Sequence, residues 1–372
     1  MVLRLVNSRI TQAIVLSCAL SLLMACGRDQ VNEPTELERN FKDKISMKRI
    51  WKTSVGTGDD ELKLQLTPVL IEDFIYSLDI EGDLFVINRL DGKRVWKKAL
   101  NERVSGGLGY DSKHLYYTTF QGEIVCINRL NGDEIWRENL TSEAVAAPSS
   151  NGNLVVVQTI DGKLLTFSTI DGAKRWRYDS IGPILSLRGT ATPLVSQKYT
   201  ISSFANGEML AFDNATGSPF WKATLGVPQG RTELERLVDP DGQANIDGDK
   251  LYAAAYQGKL VSLHVTTGQE VWSKELSSFN GVALGFGKAF VTTSDGEVVA
   301  LKQTNGAELW RNEKLKYRRL GSPMVFGQTV VTADLEGYLH VLSLNDGEIL
   351  ARKRPDSDGV MGTMLVSGDL LY

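Results

Sequence analysis

Cysteine and histidine are scarce in this chain of 372 residues, which contains three of each. Cys18 and Cys26 lie close to the amino terminus, so Cys126 has no second cysteine in the rest of the chain for an internal disulfide. The three histidines show no metal-ligand spacing, and no nucleophile–base–acid set can be assembled around them. The sequence therefore predicts no catalytic residue, no metal and no cofactor, and a fold stabilised by its apolar core.

The chain has no excess of positive charge, few prolines and no long apolar run. The net charge of −4 argues against a nucleic-acid-binding protein, which needs a basic surface. Ten prolines accompany 35 glycines, a balance that suits many tight turns between short strands. The apolar run of residues 13–25 is too short to cross a bilayer as a stable helix.

That apolar run has the features of an export signal. Arg4 and Arg9 precede it, and it ends in Leu-Met-Ala-Cys, which resembles the bacterial lipobox. Residues 1–25 are therefore predicted to be a lipoprotein signal peptide, with Cys26 as the lipidated first residue of the mature chain. Gly27 in place of an aspartate favours the outer membrane. The alternative is an ordinary secretory signal with an incidental cysteine.

The polar and charged stretch that follows, residues 26–45, is predicted to be a flexible tether between the lipid and the folded domain. The folded domain is then expected to occupy residues 46–372.

Seven pairs of glycines recur along the chain with a constant internal spacing. The second glycine follows the first by ten residues, and in six pairs a tryptophan comes four residues later. The pairs are Gly82 and Gly92, Gly122 and Gly132, Gly162 and Gly172, Gly207 and Gly217, Gly258 and Gly268, Gly296 and Gly306, and Gly337 and Gly347. The tryptophans are Trp96, Trp136, Trp176, Trp221, Trp272 and Trp310, with Ala351 in the seventh position. A unit of constant internal spacing, joined by connections of variable length, indicates a modular repeat fold.

Each unit is predicted to be built from β-hairpins. Asp91-Gly92 and Asn131-Gly132 are turn dipeptides whose glycine readily takes positive φ. The segment between the two glycines is apolar on both faces, as in residues 84–87, so we expect both faces of this strand to be covered. About four short strands fit in each unit, as in a propeller blade.

The repeat predicts an all-β fold, an eight-bladed β-propeller of four-stranded antiparallel blades. Trp51 precedes the first unit at the position expected for the last strand of a blade, which raises the count to eight. The amino-terminal strand is therefore expected to complete the eighth blade and close the ring, which removes the free sheet edge. Residues 368–372 match residues 248–252, so the last blade is expected to stop one strand short.

The glycine–tryptophan pattern resembles the tryptophan-docking (PQQ-like) repeat of the quinoprotein dehydrogenases. The whole chain, from lipobox to short propeller, resembles a family of outer-membrane lipoproteins that use the same repeat. Those lipoproteins are subunits of the β-barrel assembly machinery (the BAM complex). The resemblance implies a non-catalytic scaffold that aids the folding and insertion of outer-membrane proteins. The implied partners are the POTRA domains of the barrel-forming subunit BamA, other Bam lipoproteins and unfolded outer-membrane protein substrates.

Two stretches of the chain carry the family's partner contacts by resemblance. The first, residues 185–189, implies contacts from Leu185, Leu187 and Arg188; the second, residues 232–241, implies contacts from Asp239 and Asp241. Both lie where the tryptophan spacing is longest, and extra length in a propeller is displayed as loops. From the residues alone, the leucines could instead begin an inner strand, and the aspartates could lie in a solvated turn.

Two other functions remain open at the level of sequence. A periplasmic PQQ-dependent dehydrogenase would use the same repeat, although the adjacent cysteine pair of those enzymes is absent. A propeller lipoprotein that binds another envelope protein would also fit.

Overall fold

The computed structural model describes residues 32–56, 64, 66–180, 191–227, 238–240, 242–356, 359 and 363–372. These residues form strands and turns without a helix, and the strands pair in antiparallel sheets. No helix able to cross a membrane is found among them. Leu185, Leu187, Arg188, Asp241 and Cys26 fall outside the described residues.

The first four blades each contain four strands in chain order from the inside outwards. Blade one contains β1 (Val69–Ile71), β2 (Phe74–Leu78), β3 (Asp83–Asn88) and β4 (Arg94–Ala99). Blade two contains β5 (Val104–Tyr110), β6 (His114–Thr119), β7 (Glu123–Asn128) and β8 (Glu134–Asn139). Blade three contains β9 (Ser149–Ser150), β10 (Leu154–Gln158), β11 (Lys163–Ser168) and β12 (Lys174–Asp179). Blade four contains β13 (Leu194–Val195), β14 (Tyr199–Phe204), β15 (Glu208–Asp213) and β16 (Pro219–Thr224).

Three further blades repeat this order, and a two-stranded sheet follows them. Blade five contains β17 (Asn245–Asp247), β18 (Lys250–Ala254), β19 (Lys259–His264) and β20 (Glu270–Glu275). Blade six contains β21 (Ala283–Gly285), β22 (Lys288–Thr292), β23 (Val298–Lys302) and β24 (Glu308–Asn312). Blade seven contains β25 (Met324–Phe326), β26 (Thr329–Ala333), β27 (Leu339–Ser343) and β28 (Ile349–Lys353), and the last sheet contains β29 (Val366–Ser367) and β30 (Leu370–Leu371).

The tryptophans of the repeat pack against the second glycine of the next blade. A β-carbon on Gly172 would come within 2.8 Å of the Trp136 ring, so only glycine fits there. The Trp136 Nε1 donates a hydrogen bond to the carbonyl of Thr169 at 3.1 Å. Both contacts recur at Trp51, Trp176, Trp221, Trp272 and Trp310. These tryptophans thus dock between blades, as the resemblance to the tryptophan-docking repeat implies, and each buried indole contributes about 3–5 kcal/mol to stability.

The eighth blade is built from both ends of the chain. Trp51 reaches Gly92 of blade one, and its ring lies 5.8 Å from that of Tyr372. Both rings pack on Phe85 and Ile87 of blade one. Residues 46–56 form no strand, so within the described residues the eighth blade has two paired strands rather than four. The ring is closed here by side-chain packing, which differs from the predicted closing strand.

Turns divide the propeller into two faces. The turns between the second and third strands of each blade carry the first glycine of each pair, as Gly162 does between β10 and β11; we call this side the first-glycine face. The turns between the third and fourth strands carry the second glycine and define the second-glycine face. The residue after the outer strand bonds back to the first glycine, as Ser180 N–H does to Gly162 C=O at 3.0 Å. Connections from one blade to the next therefore leave on the first-glycine face.

Part of the predicted tether lies against the propeller. The Thr35 N–H donates to the Lys316 carbonyl at 3.0 Å, and the Lys44 N–H donates to the Leu350 carbonyl at 2.7 Å. Leu37 and Phe41 pack on the core between blades six and seven. In residues 35–44 the structure thus differs from a flexible tether, because this segment carries apolar side chains as well as charged ones.

Candidate partner-binding surface

The two connections whose sequence contains the predicted contact stretches leave their blades on the first-glycine face. Ser180 is the last described residue after blade three, and Val227 is the last described residue before Val238 after blade four. The Leu225 N–H donates to the Gly207 carbonyl at 2.8 Å, which fixes where the chain leaves blade four. The contacts implied for Leu185, Leu187, Arg188 and Asp241 stay predictions, since these residues are outside the described ones.

Asp239 is the one predicted contact residue that the structure places. It is 2% exposed and lies between blades four and five, where its N–H and C=O both pair with Tyr256, at 3.3 and 2.9 Å. Its neighbour Val238 forms a bridge with Asn206 in the adjacent blade. The Pro240 carbonyl accepts a hydrogen bond from the Ser203 hydroxyl at 3.0 Å. Asp239 therefore lies in a segment fixed to two blades rather than in an exposed loop.

An exposed aromatic pair lies next to this segment. The rings of Tyr256 and Phe279 stack with their centroids 4.0 Å apart and 17° between their planes. Phe279 is 42% exposed. The Tyr256 hydroxyl accepts a bond from Gln257 Nε2 at 3.2 Å, and the Gln257 N–H donates to Ser277 Oγ at 3.0 Å. The pair is thus held in place at the surface, where rotation of either ring is restricted.

Further apolar side chains extend this surface across neighbouring blades. Phe120, Ile160 and Tyr256 occupy the same position, two residues before the first glycine of blades two, three and five. Ile160 is 36% exposed, and Val227, after blade four, is 62% exposed. We call these five side chains the blade 2–5 surface: Phe120, Ile160, Val227, Tyr256 and Phe279. It lies on the face from which the chain leaves blades three and four towards both predicted contact stretches.

The blade 2–5 surface was not predicted from the sequence. The shared position before the first glycine was the available signal for Phe120, Ile160 and Tyr256. Phe279 had no such signal, because it lies in a connection whose length varies between blades.

A small cavity of about 310 Å³ adjoins the surface at the boundary of blades four and five. Val227 and Val238 form its apolar side, and Lys259 and Glu275 its charged side. Its mixed walls suit a protruding side chain of a partner protein better than an apolar ligand.

A channel of about 1260 Å³ runs along the propeller axis. All eight blades contribute to its wall, one residue from each being Val69, Leu108, Ala146, Thr192, Gly242, Gly281, Ser322 and Val366. Among the described residues that line it, the one charged side chain is Asp111, which accepts hydrogen bonds from the Tyr116 hydroxyl at 2.6 Å and the His114 Nδ1 at 3.1 Å. Burial alone would raise the pKa of Asp111, but these bonds outweigh it and keep that pKa below its ordinary value. Asp111 is thus an ionised, internally satisfied group.

Cys126 lies in the core of blades two and three. Its side chain is fully buried, and burial, aided by the Asp111 charge, raises the pKa of its thiol to about 12. The thiol is therefore protonated and unreactive at neutral pH. Within the described ranges, no cluster of three or more His, Cys, Asp or Glu side chains is arranged to hold a metal ion.

Comparison with known proteins identifies the family. The family model described as outer membrane protein assembly factor BamB matches residues 80–312 and 294–372. The outer membrane protein assembly factor BamB of Pseudomonas aeruginosa is 47% identical over 362 residues, which cover 97% of this chain and 95% of the relative. The chain belongs to the BamB family. The BamB of Marinobacter adhaerens is 41% identical over 354 residues, which cover 95% of this chain and 91% of that relative.

Solved structures agree with the BamB assignment. The crystal structure of BamB from Moraxella catarrhalis matches with a TM-score of 0.76 at 28% identity, covering 85% of this chain and 94% of that one. A quinohemoprotein alcohol dehydrogenase from Comamonas testosteroni matches with a TM-score of 0.67 at 13% identity, covering 82% of this chain and 69% of that one. The second match shows the shared propeller fold alone. The eight-bladed all-β fold and the family predicted from the sequence are both confirmed.

Proposed function

We propose that this chain is a non-catalytic scaffold subunit of the BAM complex, anchored by lipid on Cys26 at the periplasmic face of the outer membrane. Its task is to hold the POTRA domains of the barrel-forming subunit BamA, beside the other Bam lipoproteins, during the insertion of outer-membrane proteins. Family membership supports the assembly role. The blade 2–5 surface is the observation that supports docking through the first-glycine face.

The composition of this surface fits a protein–protein interface. Stable interfaces centre on a few aromatic and large apolar side chains and are rimmed by polar groups. Tyr256 and Phe279 provide a rigid aromatic centre, and the predicted contacts Leu185, Leu187 and Arg188 belong by sequence to the connection from blade three to blade four, which leaves blade three on the same face. We propose that a POTRA domain covers the aromatic pair and reaches these residues together.

Asp239 has a positioning role in this proposal. Its main chain ties the second contact stretch to Tyr256, and its side chain has little exposed surface for a partner. We propose that Asp239 fixes the aromatic pair and the start of the stretch, and that Asp241 makes the contact with the partner.

A rigid propeller suits such a scaffold. Seven described blades with docked tryptophans leave few internal degrees of freedom, so a domain bound at one face is held at a fixed angle. The scaffold acts by reducing the range of orientations that the flexible POTRA domains sample before a barrel is inserted.

Co-purification from solubilised envelopes tests the proposal. A double variant, Leu187→Ala with Arg188→Glu, should lose BamA while keeping the far-ultraviolet spectrum and melting temperature of the parent. A control variant, Leu130→Ala with Lys113→Glu, changes an exposed leucine and an exposed cation on the second-glycine face. Retention of BamA by the first variant, or equal loss from both, would count against docking through the first-glycine face.

A further inference from the structure

The segment that joins the lipid to the propeller is attached to blade seven at several points. We call residues 35–44 the arm. The Thr35 carbonyl accepts a bond from Arg318 Nη1 at 3.0 Å, and the Glu38 carbonyl accepts one from Arg352 Nη1 at 3.2 Å. Phe41 lies under the same Arg352 guanidinium, 4.8 Å from ring centre to Cζ. These contacts fix the arm's main chain and one of its aromatic rings to the blade.

Further contacts hold the carboxyl-terminal end of the arm. The Asp43 carboxylate accepts the Arg352 N–H at 3.0 Å and pairs with the Lys353 ammonium. Two hydrogen bonds lower the pKa of Asp43, the one from Lys353 most and the one from the Arg352 main chain next. Asp43 therefore remains ionised at neutral pH.

The receiving side chains are themselves fixed. Arg318 is 3% exposed and donates Nε to Asp334 Oδ2 at 2.7 Å. His340 Nε2 lies 2.9 Å from the same oxygen. Because Asp334 already fixes the Arg318 side chain, binding the arm costs little side-chain entropy, and a stable docked state is expected.

The arm leaves the propeller on the first-glycine face. Thr35 pairs with Lys316, which lies in the connection from blade six to blade seven. That connection passes beside the first-glycine turn of blade six, where the Tyr317 N–H donates to the Asp295 carbonyl at 2.7 Å.

The length of chain beyond the arm limits where this face can be. Nine residues separate Cys26 from Thr35, and an extended chain of that length spans at most about 30 Å. If the chain were free up to Trp51, 25 residues would reach about 85 Å, and any face could approach the membrane.

We infer that the arm suspends the propeller by blades six and seven, so that their first-glycine face is the part of the protein nearest to the lipid surface. The inference rests on the proposed lipidation of Cys26. Attraction of a basic surface to the membrane does not explain this orientation. The exposed cations Lys314 and Arg319 are offset by Glu33, Glu36 and Glu38 of the tether. The tether length and the docked arm determine the orientation, and the proposed partner surface then lies on the membrane side of the propeller.

Fluorescence quenching in vesicles tests this orientation without any partner protein. The full lipidated chain is labelled at Lys314→Cys or, as a control, at Asn345→Cys, which lies on the second-glycine face of blade seven. Native Cys126 is buried and is not expected to react with the label. Phosphatidylethanolamine–phosphatidylglycerol vesicles carry a headgroup-linked quencher.

We expect strong quenching of the label at position 314 and little at 345, with the same pattern in high salt. Release of the arm by Phe41→Ser with Asp43→Asn should abolish the difference between the two positions. Equal quenching at both positions, or a difference that survives release of the arm, would overturn the inference. Failure of the chain to float with vesicles would refute the lipidation on which it rests. Capture of BamA in detergent is measured separately, so a failed orientation and a failed partner assignment give different results.

Discussion

Trp51 and Tyr372 come from opposite ends of the described chain, yet their rings lie 5.8 Å apart and pack on the same apolar cluster of blade one. The Tyr372 hydroxyl and the Trp51 Nε1 both donate to the Arg89 carbonyl, at 3.1 and 3.0 Å. One carbonyl of blade one thus joins both halves of blade eight. The stability of the ring therefore depends on contacts made at the two ends of the sequence.

This closure makes Trp51 more important than its position in a strandless segment suggests. Replacing Trp51 by alanine should lower the free energy of unfolding by about 2–4 kcal/mol, because the indole packing and its hydrogen bond are lost. Urea denaturation measures the change. Ile50→Ala, at a neighbouring side chain that is 65% exposed, is the control and should change stability by less than about 0.5 kcal/mol. Equal effects of the two substitutions would show that Trp51 does not close the ring.

The second glycines should be intolerant of even one methyl group. Gly268 has a φ of +68°, and a β-carbon there would lie 2.7 Å from the Trp221 ring. Gly152 has a φ of +87° with nothing within 4 Å of a β-carbon, so alanine at this position measures the cost of positive φ without a steric clash. Gly152→Ala should cost about 1–2 kcal/mol, and Gly268→Ala should cost several kcal/mol because the indole must move. Thermal melts of the two variants compare them directly, and similar melting temperatures would contradict tryptophan docking.

The buried group around Asp334 predicts a pH dependence of stability. Burial lowers the pKa of His340 below its ordinary value of 6.5. The positive charges of Arg352 and Arg318 lower it further, and the hydrogen bond and charge of Asp334 raise it without restoring the ordinary value. The native state therefore holds His340 neutral while the unfolded state takes up a proton, so stability falls as the pH drops below 6.5.

Each pH unit below 6.5 should remove up to about 1.4 kcal/mol through this group until the native pKa is reached. His340→Gln keeps a donor for Asp334 and cannot take up the proton. Denaturation curves between pH 7 and 5 should show a smaller loss of stability for the variant than for the parent. Parallel pH profiles would show that His340 titrates alike in both states.

The proposed lipidation of Cys26 predicts a change of location on substitution. Cys26→Ser, made behind a secretory signal peptide that is cut without lipidation, should leave the folded domain intact and move the protein from the membrane to the soluble periplasmic fraction, because the proposed acyl anchor is then missing. Fractionation with immunodetection makes the measurement. Cys126→Ser, at the buried thiol, should leave the location unchanged. Membrane association that survives Cys26→Ser would place the anchor elsewhere.

The periodic features of the fold could be predicted from the sequence because local contacts impose them. Each second glycine needs positive φ and space for an indole, so Gly92 and Trp51 carry a signal that repeats in every blade. The apolar segment between the two glycines and the turn dipeptides then predict the strands. The count of eight followed from Trp51 alone.

The features that the sequence did not reveal depend on contacts between distant segments. The docking of Phe41 under Arg352 involves residues at opposite ends of the chain, and the charged stretch around Phe41 looked like a tether. Asp239 was interpreted as a loop residue, because nothing local indicates its pairing with Tyr256 in the next blade. Phe279 stands outside the repeat period, so its stacking on Tyr256 left no pattern to detect.

The most direct test of the scaffold account compares two exposed phenylalanines on opposite faces. Phe279 lies on the first-glycine face, and Phe286 lies 66% exposed in the β21–β22 turn of the second-glycine face. The measurement is the dissociation constant of the purified chain for the POTRA domains of BamA. The account predicts that Phe279→Ser weakens binding by about tenfold or more while Phe286→Ser leaves it unchanged. Unaltered binding by Phe279→Ser, or weakening by Phe286→Ser alone, would contradict it.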